Sequence, residues 1–520
     1  MGVKGMGDSV RGCGGYRTGG DASDTDRYDP GVRSGDRPVR SGTRPGVRPG
    51  TRLAAVPASL RPAVRPPSVP RPVRRAAPPR VNCETGGMAE HPPRTPHASP
   101  AAAQPAEDGP PGGRPADGPA AGLTVDDIRA AHKLLSGVSR STAMEGSRYL
   151  SRLVGAPVHL KCENLQRTGS FKIRGAYVRI AGLSARQRAA GVVAASAGNH
   201  AQGVALAATL LGVRSTVFMP VDAPLPKIAA TRDYGAEVRL CGQVVDEALT
   251  AAQEYARETG AVLIHPFDHP DIVAGQGTVG LEILEQCPEV RTIVVGMGGG
   301  GLAAGIALAV KSLRPDVRIV GVQAAGAACY PPSLAAGRPV AIEEPATMAD
   351  GIKVGRPGEV PFRIVDALVD EVRTVSEDAL SSALLLCLER AKMVVEPAGA
   401  SPVAALLADP GAFEGPVVAV LSGGNVDPLL MQRIQRHGMA VAGRYLSLRL
   451  RLTDRPGALA TLLGVLSGTE ANVLDISHVR TDPRLGLTEV EVELHLETEG
   501  PRHCAEVESA LRAAGYTVIG

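Results

Sequence analysis

From about residue 123 to residue 440, short apolar runs alternate with Ala-rich segments of helical length, and this alternation constrains the fold most strongly. Runs at 156–161, 192–196, 215–219, 237–240, 262–264, 292–295, 319–322 and 417–421 read as strands. Segments at 200–211, 226–234, 302–313 and 376–392 read as helices, with Pro226 tolerated in a first turn. Short apolar strands separated by helices predict a parallel sheet covered on both faces. About 320 residues of this pattern predict two α/β lobes. At the entrance, Thr124 is an N-cap candidate with Asp127 three residues on, and Ile128, Ala131 and Leu135 share one helix face.

The pattern changes near Arg444. Leu446, Leu448, Leu450 and Leu452 alternate along a strand at 445–452, and a turn leads into a helix at 458–466. Strands at 473–479 and 488–496, a helix at 505–514 and a strand at 516–519 complete a βαββαβ order, which fits a ferredoxin-like module.

Upstream the composition is different. Residues 1–120 hold 18 of the 56 Lys+Arg, 11 of the 53 Asp+Glu and 21 of the 43 prolines. Such a Pro/Arg/Gly-rich segment cannot bury enough apolar surface to offset its ordering entropy, so it reads as a disordered tail. Asp21, Asp24, Asp26 and Asp29 argue against a nucleic-acid arm and against a transit peptide. A start at Met88, with the upstream sequence not part of the native protein, is the alternative.

Aromatic residues make up 3 % of the chain and Trp is absent, so stacking platforms for single-stranded nucleic acid are not expected. No run reaches 18 consecutive apolar residues, so no membrane span is expected. The eight cysteines are scattered without a CxxC pair, which fits a reducing cytoplasm rather than a disulfide framework or zinc site.

Two features carry chemistry. After the strand at 292–295 comes Gly296-Met297-Gly298-Gly299-Gly300-Gly301-Leu302, with a helix expected from about Leu302. Glycines allow close backbone approach to a phosphate, and a helix start supplies free N–H groups. The segment also matches GxGxxG, but a nicotinamide site wants an acid at the end of the next strand, where Gln323 stands. The second feature is Lys172, set between Phe171 and Ile173, where desolvation lowers an amine's pKa. A lysine, a phosphate cradle and an α/β fold together point to pyridoxal phosphate held as a Schiff base.

Residues 170–176, the run Ser196-Ala197-Gly198-Asn199-His200, the tetraglycine loop and Ser422-Gly423-Gly424-Asn425 occur in the order found in fold type II pyridoxal-phosphate enzymes, the two-lobed tryptophan synthase β type. The chain resembles the threonine dehydratases, or threonine ammonia-lyases, of that group, and its last module resembles an ACT regulatory domain. The resemblance covers roughly residues 123–520, divided into a catalytic domain at 121–441 and an ACT domain at 444–520.

The resemblance implies roles for matching positions. Lys172 anchors the cofactor and acts as the base, Phe171 packs on its ring, and Asn199 bonds its ring oxygen. Gly298, Gly299, Gly300, Gly301 and Leu302 hold its phosphate, and Ser422 faces its ring nitrogen. Ser196, Ala197, Gly198, Asn199 and His200 bind the substrate carboxylate through backbone and side chains. Asp454, Arg455, Pro456, Gly457 and Ala458 form the effector turn. The implied activity is deamination of L-threonine to 2-oxobutanoate and ammonia, and of L-serine to pyruvate, by a homotetramer that isoleucine or valine regulates. Gln323 and Cys329 stand where related enzymes carry metal-binding acids, so no metal is expected. The alternatives are a serine racemase or serine dehydratase of the same fold, or a non-catalytic amino-acid-sensing protein. Ala197 stands where the racemases carry a proton-shuttling serine, and intact Lys172, Asn199 and Ser422 speak against a sensor.

Overall fold

The computed structural model describes residues 122–480 and 484–519. The tail at 1–120 and the alternative start at Met88 lie outside them.

In chain order the strands are β1 (Met144–Gly146), β2 (Val158–Lys161), β3 (Val192–Ala195), β4 (Ser215–Met219), β5 (Glu237–Leu240), β6 (Val262–Leu263) and β7 (Thr292–Gly296). They continue with β8 (Arg318–Ala324), β9 (Glu371–Val375), β10 (Val417–Val420), β11 (Tyr445–Thr453), β12 (Asn472–Val479), β13 (Glu489–Glu497) and β14 (Thr517–Val518).

Two parallel sheets form two lobes. The larger has the order β1-β2-β10-β7-β8-β9, with only β1 antiparallel, and the smaller has the order β5-β4-β3-β6. Every residue of β3, β4, β7 and β10 is buried, as continuous apolar runs between helix layers require. The third sheet is antiparallel with the order β12-β13-β11-β14. Leu448, Leu450 and Leu452 of β11 face the helices Ala458–Ser467 and Pro501–Ala513, completing the expected βαββαβ module.

The capping box at Thr124 forms: its hydroxyl accepts from Asp127 N, and the Asp127 carboxylate accepts from Thr124 N at 2.8 Å. Several bounds differ from the expectation. The strand expected from 156 starts at Val158, because Pro157 has no N–H to give a ladder. The helix expected from 200 starts at Asn199, and the one expected from 302 starts at Gly301. The helix expected over 376–392 ends at Leu386, passes into a π-helical turn at Cys387–Ala391, and stops at Lys392 with φ of 60°. β1 and β9 carry no apolar run, and both lie at sheet edges.

Two glycine contacts set the helices around the site. A Cβ on Gly275 would lie 2.6 Å from Gly175 Cα, so the helix Lys172–Ala181 lies directly on Pro270–Gln286. A Cβ on Gly305 would lie 2.5 Å from Gly277 N, so Gly301–Leu313 lies equally close to the same central helix. The start of the lysine helix and the start of the glycine-loop helix are thus referenced to one rigid element.

Candidate active site

The site gathers at the C-terminal ends of the parallel strands, where the chain leaves β3, β7 and β10. Lys172 opens its helix, and its Nζ donates to Pro266 O at 3.0 Å. Burial lowers its pKa to about 8, against an opposing pull from Glu396. The Nζ lies 5.1 Å from the centroid of the Phe171 ring.

The loop before Lys172 is sewn to the segment after β10. Phe171 N donates to Ser422 O at 3.2 Å, and Gly424 N to Gly169 O at 2.9 Å. Asn425 Nδ2 donates to Thr168 O at 2.6 Å. Ser422 is buried, yet its hydroxyl bonds no protein group among the described residues. Ser170 Oγ and Thr168 Oγ1 are also buried without partners among the described residues.

The glycine loop has two sides. One is packed on protein: a Cβ on Gly299 would lie 2.4 Å from the Phe267 ring, and one on Gly300, whose φ is +96°, would lie 1.8 Å from the Tyr330 hydroxyl. The glycines therefore serve the protein as well as a ligand. On the other side, the N–H groups of Gly298, Gly299, Gly300, Gly301 and Leu302 donate to no protein acceptor among the described residues. Several adjacent unpaired N–H groups in a largely buried helix start fit an anion of several oxygens such as a phosphate. With the half-buried Lys172 and an unpaired serine hydroxyl nearby, the residues fit pyridoxal phosphate.

The loop after β3 also offers donors. Gly198 N is taken by Ser196 Oγ at 3.1 Å, while the N–H groups of Ala197, Asn199 and His200 bond no protein acceptor among the described residues. His200 departs from the expectation. Its Nε2 lies 2.7 Å from Ile264 O, and burial lowers its pKa to about 3. A neutral ring whose Nε2–H is committed to a carbonyl leaves only an acceptor nitrogen, so its side chain does not bind a carboxylate. Only its backbone N–H is available for that.

Two groups escaped the sequence reading. Glu396 is buried, and its Oε1 accepts from Asn199 Nδ2 at 2.7 Å. Arg174 is wholly buried, two residues after Lys172, and reaches both Glu163 and Glu282. At the remaining expected positions, Gln323 Oε1 accepts from Tyr330 N at 2.9 Å, and its Nε2 lies 3.5 Å from Cys329 Sγ. The turn Asp454–Gly457 is exposed, with Asp454 paired to Arg480 at 3.1 Å and Gly457 at φ of 85° facing open space.

Fold and site together fit an enzyme that uses a phosphate-bearing carbonyl cofactor. The pyridoxal-phosphate dependent enzyme family matches residues 135–423. An L-threonine ammonia-lyase of Thermotoga maritima is 46 % identical over 396 residues, covering 76 % of this chain and 99 % of that protein. Among solved structures, a threonine deaminase from T.th. is 43 % identical with a TM-score of 0.56, over 58 % of this chain and 99 % of its own. Maize serine racemase is 37 % identical with a TM-score of 0.57, over 61 % and 98 %. The chain belongs to the pyridoxal-phosphate-dependent enzymes, and within them to the threonine ammonia-lyase family of lyases. Its substrate is accordingly a small molecule. Among the described residues no helix is long and apolar enough to cross a membrane.

Proposed function

We propose that this chain deaminates L-threonine to 2-oxobutanoate and ammonia, and L-serine to pyruvate, in the cytoplasm. The observation that supports the reading is the half-buried Lys172, its amine desolvated, beside two separate sets of unpaired backbone N–H groups, at 298–302 and at 197, 199 and 200. One set suits the cofactor's phosphate and the other suits the substrate's carboxylate.

When bound, pyridoxal phosphate supplies a conjugated ring that takes up negative charge from the substrate's Cα. The protein does the rest. Lys172 Nζ, whose pKa is lowered to about 8, accepts the Cα proton. Ser422 would offer a neutral hydroxyl to the ring nitrogen of the bound cofactor and would leave it less cationic than a carboxylate would. The β-hydroxyl leaves as water, taking up one proton to balance the one that Lys172 accepts, and this loss competes well with return of the proton to Cα. The enamine that leaves the site takes up water and releases ammonia, so threonine gives 2-oxobutanoate and ammonia in equal amounts. Purified protein given L-threonine should form both, and formation of neither rejects the reading.

Serine racemases share this fold, so the fold does not separate the two reactions. Ala197 favours elimination, because a methyl group carries no proton to the far face of Cα. Wild type is expected to release 2-oxobutanoate without accumulating isomerised amino acid, and Ala197→Ser to gain traces of racemisation. Chiral chromatography that finds comparable racemisation in wild type contradicts this role.

The reading extends to regulation. The catalytic part spans 121–441, and the module at 444–520 acts as an ACT domain within a homotetramer. Isoleucine or valine binds at the exposed turn 454–458, where Gly457 opens the backbone to a ligand. An effector shifts the enzyme only by binding one state better than another. Isoleucine should therefore raise the KM for threonine, and deletion of residues 444–520 should remove that response. A truncated chain inhibited as strongly as the full one contradicts the site.

A further inference from the structure

Glu396 occupies the N-cap of the helix Pro397–Ala408, yet its side chain makes no capping hydrogen bond. The carboxylate turns instead into the site, where Oε1 accepts from Asn199 Nδ2 at 2.7 Å. Its backbone is fixed there, since Glu396 N donates to Gly423 O at 3.0 Å. The niche is tight: a Cβ on Gly423 would lie 2.2 Å from Glu396 Oε1 and 3.1 Å from Asn199 Nδ2, so a side chain there would displace the pair.

The other end of the Asn199 amide is held as well. Asn199 Oδ1 accepts from Asn425 Nδ2 at 2.8 Å, and Asn425 Nδ2 also donates to Thr168 O. Turning the amide over would set its oxygen against the carboxylate and its NH2 against the NH2 of Asn425. Both contacts would then be repulsive. One Nδ2 hydrogen is spent on Glu396, and the second remains. Oε2 of Glu396 has no protein donor among the described residues.

We propose that Glu396 is the positioning residue that fixes the Asn199 amide with its free N–H available to the ring oxygen of pyridoxal phosphate. This inference rests on the assignment of Asn199 to that ring oxygen. It goes beyond it by naming the group that sets the amide's orientation. Burial raises the Glu396 pKa to about 7. A protonated carboxyl still accepts through one oxygen, so positioning survives in either form. By the same logic a glutamine at 396 keeps the acceptor at Oε1 and sets its NH2 at the unpartnered Oε2 position.

The test uses the purified holoenzyme without substrate, so its outcome is independent of whether threonine is the substrate. Cofactor affinity is measured by fluorescence titration, and the visible absorption maximum of the bound cofactor by spectrophotometry. Glu396→Ala frees the amide and should weaken cofactor binding about tenfold, the weight of one charge-assisted hydrogen bond, with a displaced maximum. Glu396→Gln should rescue both, keeping the wild-type maximum and affinity. If Glu396→Ala does not yield folded protein, Glu396→Met keeps the volume without the acceptor and should show the same displacement. A wild-type maximum and affinity in the Ala or Met variant overturns the proposal. So does a Gln variant displaced as far as the Ala variant.

Discussion

Replacing Lys172 with alanine is expected to abolish ammonia release, by at least about 10⁴-fold, because the proposed function gives one amine the roles of cofactor anchor and general base. The visible band of the lysine-bound cofactor should vanish in the same variant. The amine suits both roles because burial holds its pKa at about 8. At pH 7 that leaves roughly two orders of magnitude more free base than an exposed lysine has. The same burial is a stability cost. The folded-state pKa lies below the ordinary value of 10.5, so the penalty is fully present below about pH 8 and is lifted as pH rises towards 10.5. Lys172→Met, inactive but free of the desolvated amine, should make the cofactor-free protein more stable at pH 7 by about 3 kcal/mol. That gain should shrink between pH 8 and 10.5. Urea melts at pH 7 and 10 check both statements, and a destabilised Met variant at pH 7 contradicts the burial argument.

The second large effect is expected at Arg174. Its Nε and Nη2 meet Glu163 at 2.8 Å each, and its Nη1 meets Glu282 at 2.6 Å. Lys161 closes the network on Glu282 at 2.6 Å, and Thr142 donates to Glu163 at 2.6 Å. All four charged side chains are buried. Burial alone would push the Glu163 carboxyl up, but Arg174 holds it below the usual range. Arg174→Met strips a countercharge from two buried carboxylates, so a loss of about 3–5 kcal/mol is expected. The sign with pH follows. The depressed Glu163 contributes stability above its unfolded value, and this is lost as pH falls through its folded value. In Arg174→Met that contribution is missing at neutral pH, so acid should cost this variant less additional stability than it costs wild type. Acid titration of the urea midpoint measures it. Arg174 lies two residues from Lys172, within the first turn of the same helix, so the network ties that turn to Glu163 and Glu282.

Much of the site could be read from the residues because backbone chemistry dictates residue type. Adjacent unpaired N–H groups at a helix start need glycine where Phe267 and Tyr330 press on the loop, and the run at 298–301 shows it. The βαββαβ order was legible from the leucine alternation of β11. Glu396 was not, because an acid before proline at a helix start has the signature of an N-cap, and only the fold reveals that it turns away. Nor was the Arg174 network, whose partners lie 11 and 108 positions away and follow no period. The commitment of the His200 ring was not legible either, because its position in the loop does not reveal the Ile264 carbonyl, which comes from a neighbouring strand end 64 residues on. The break at Cys387–Ala391 interrupts a segment whose composition remains helical throughout.

The most direct measurement of the central claim is the product balance of purified, cofactor-supplemented protein given L-threonine. Ammonia is measured enzymatically and 2-oxobutanoate by chromatography. The account predicts that the two appear one to one, and that neither forms with Lys172→Ala. Turnover of threonine without 2-oxobutanoate, or equal product release from the Lys172→Ala variant, would contradict it.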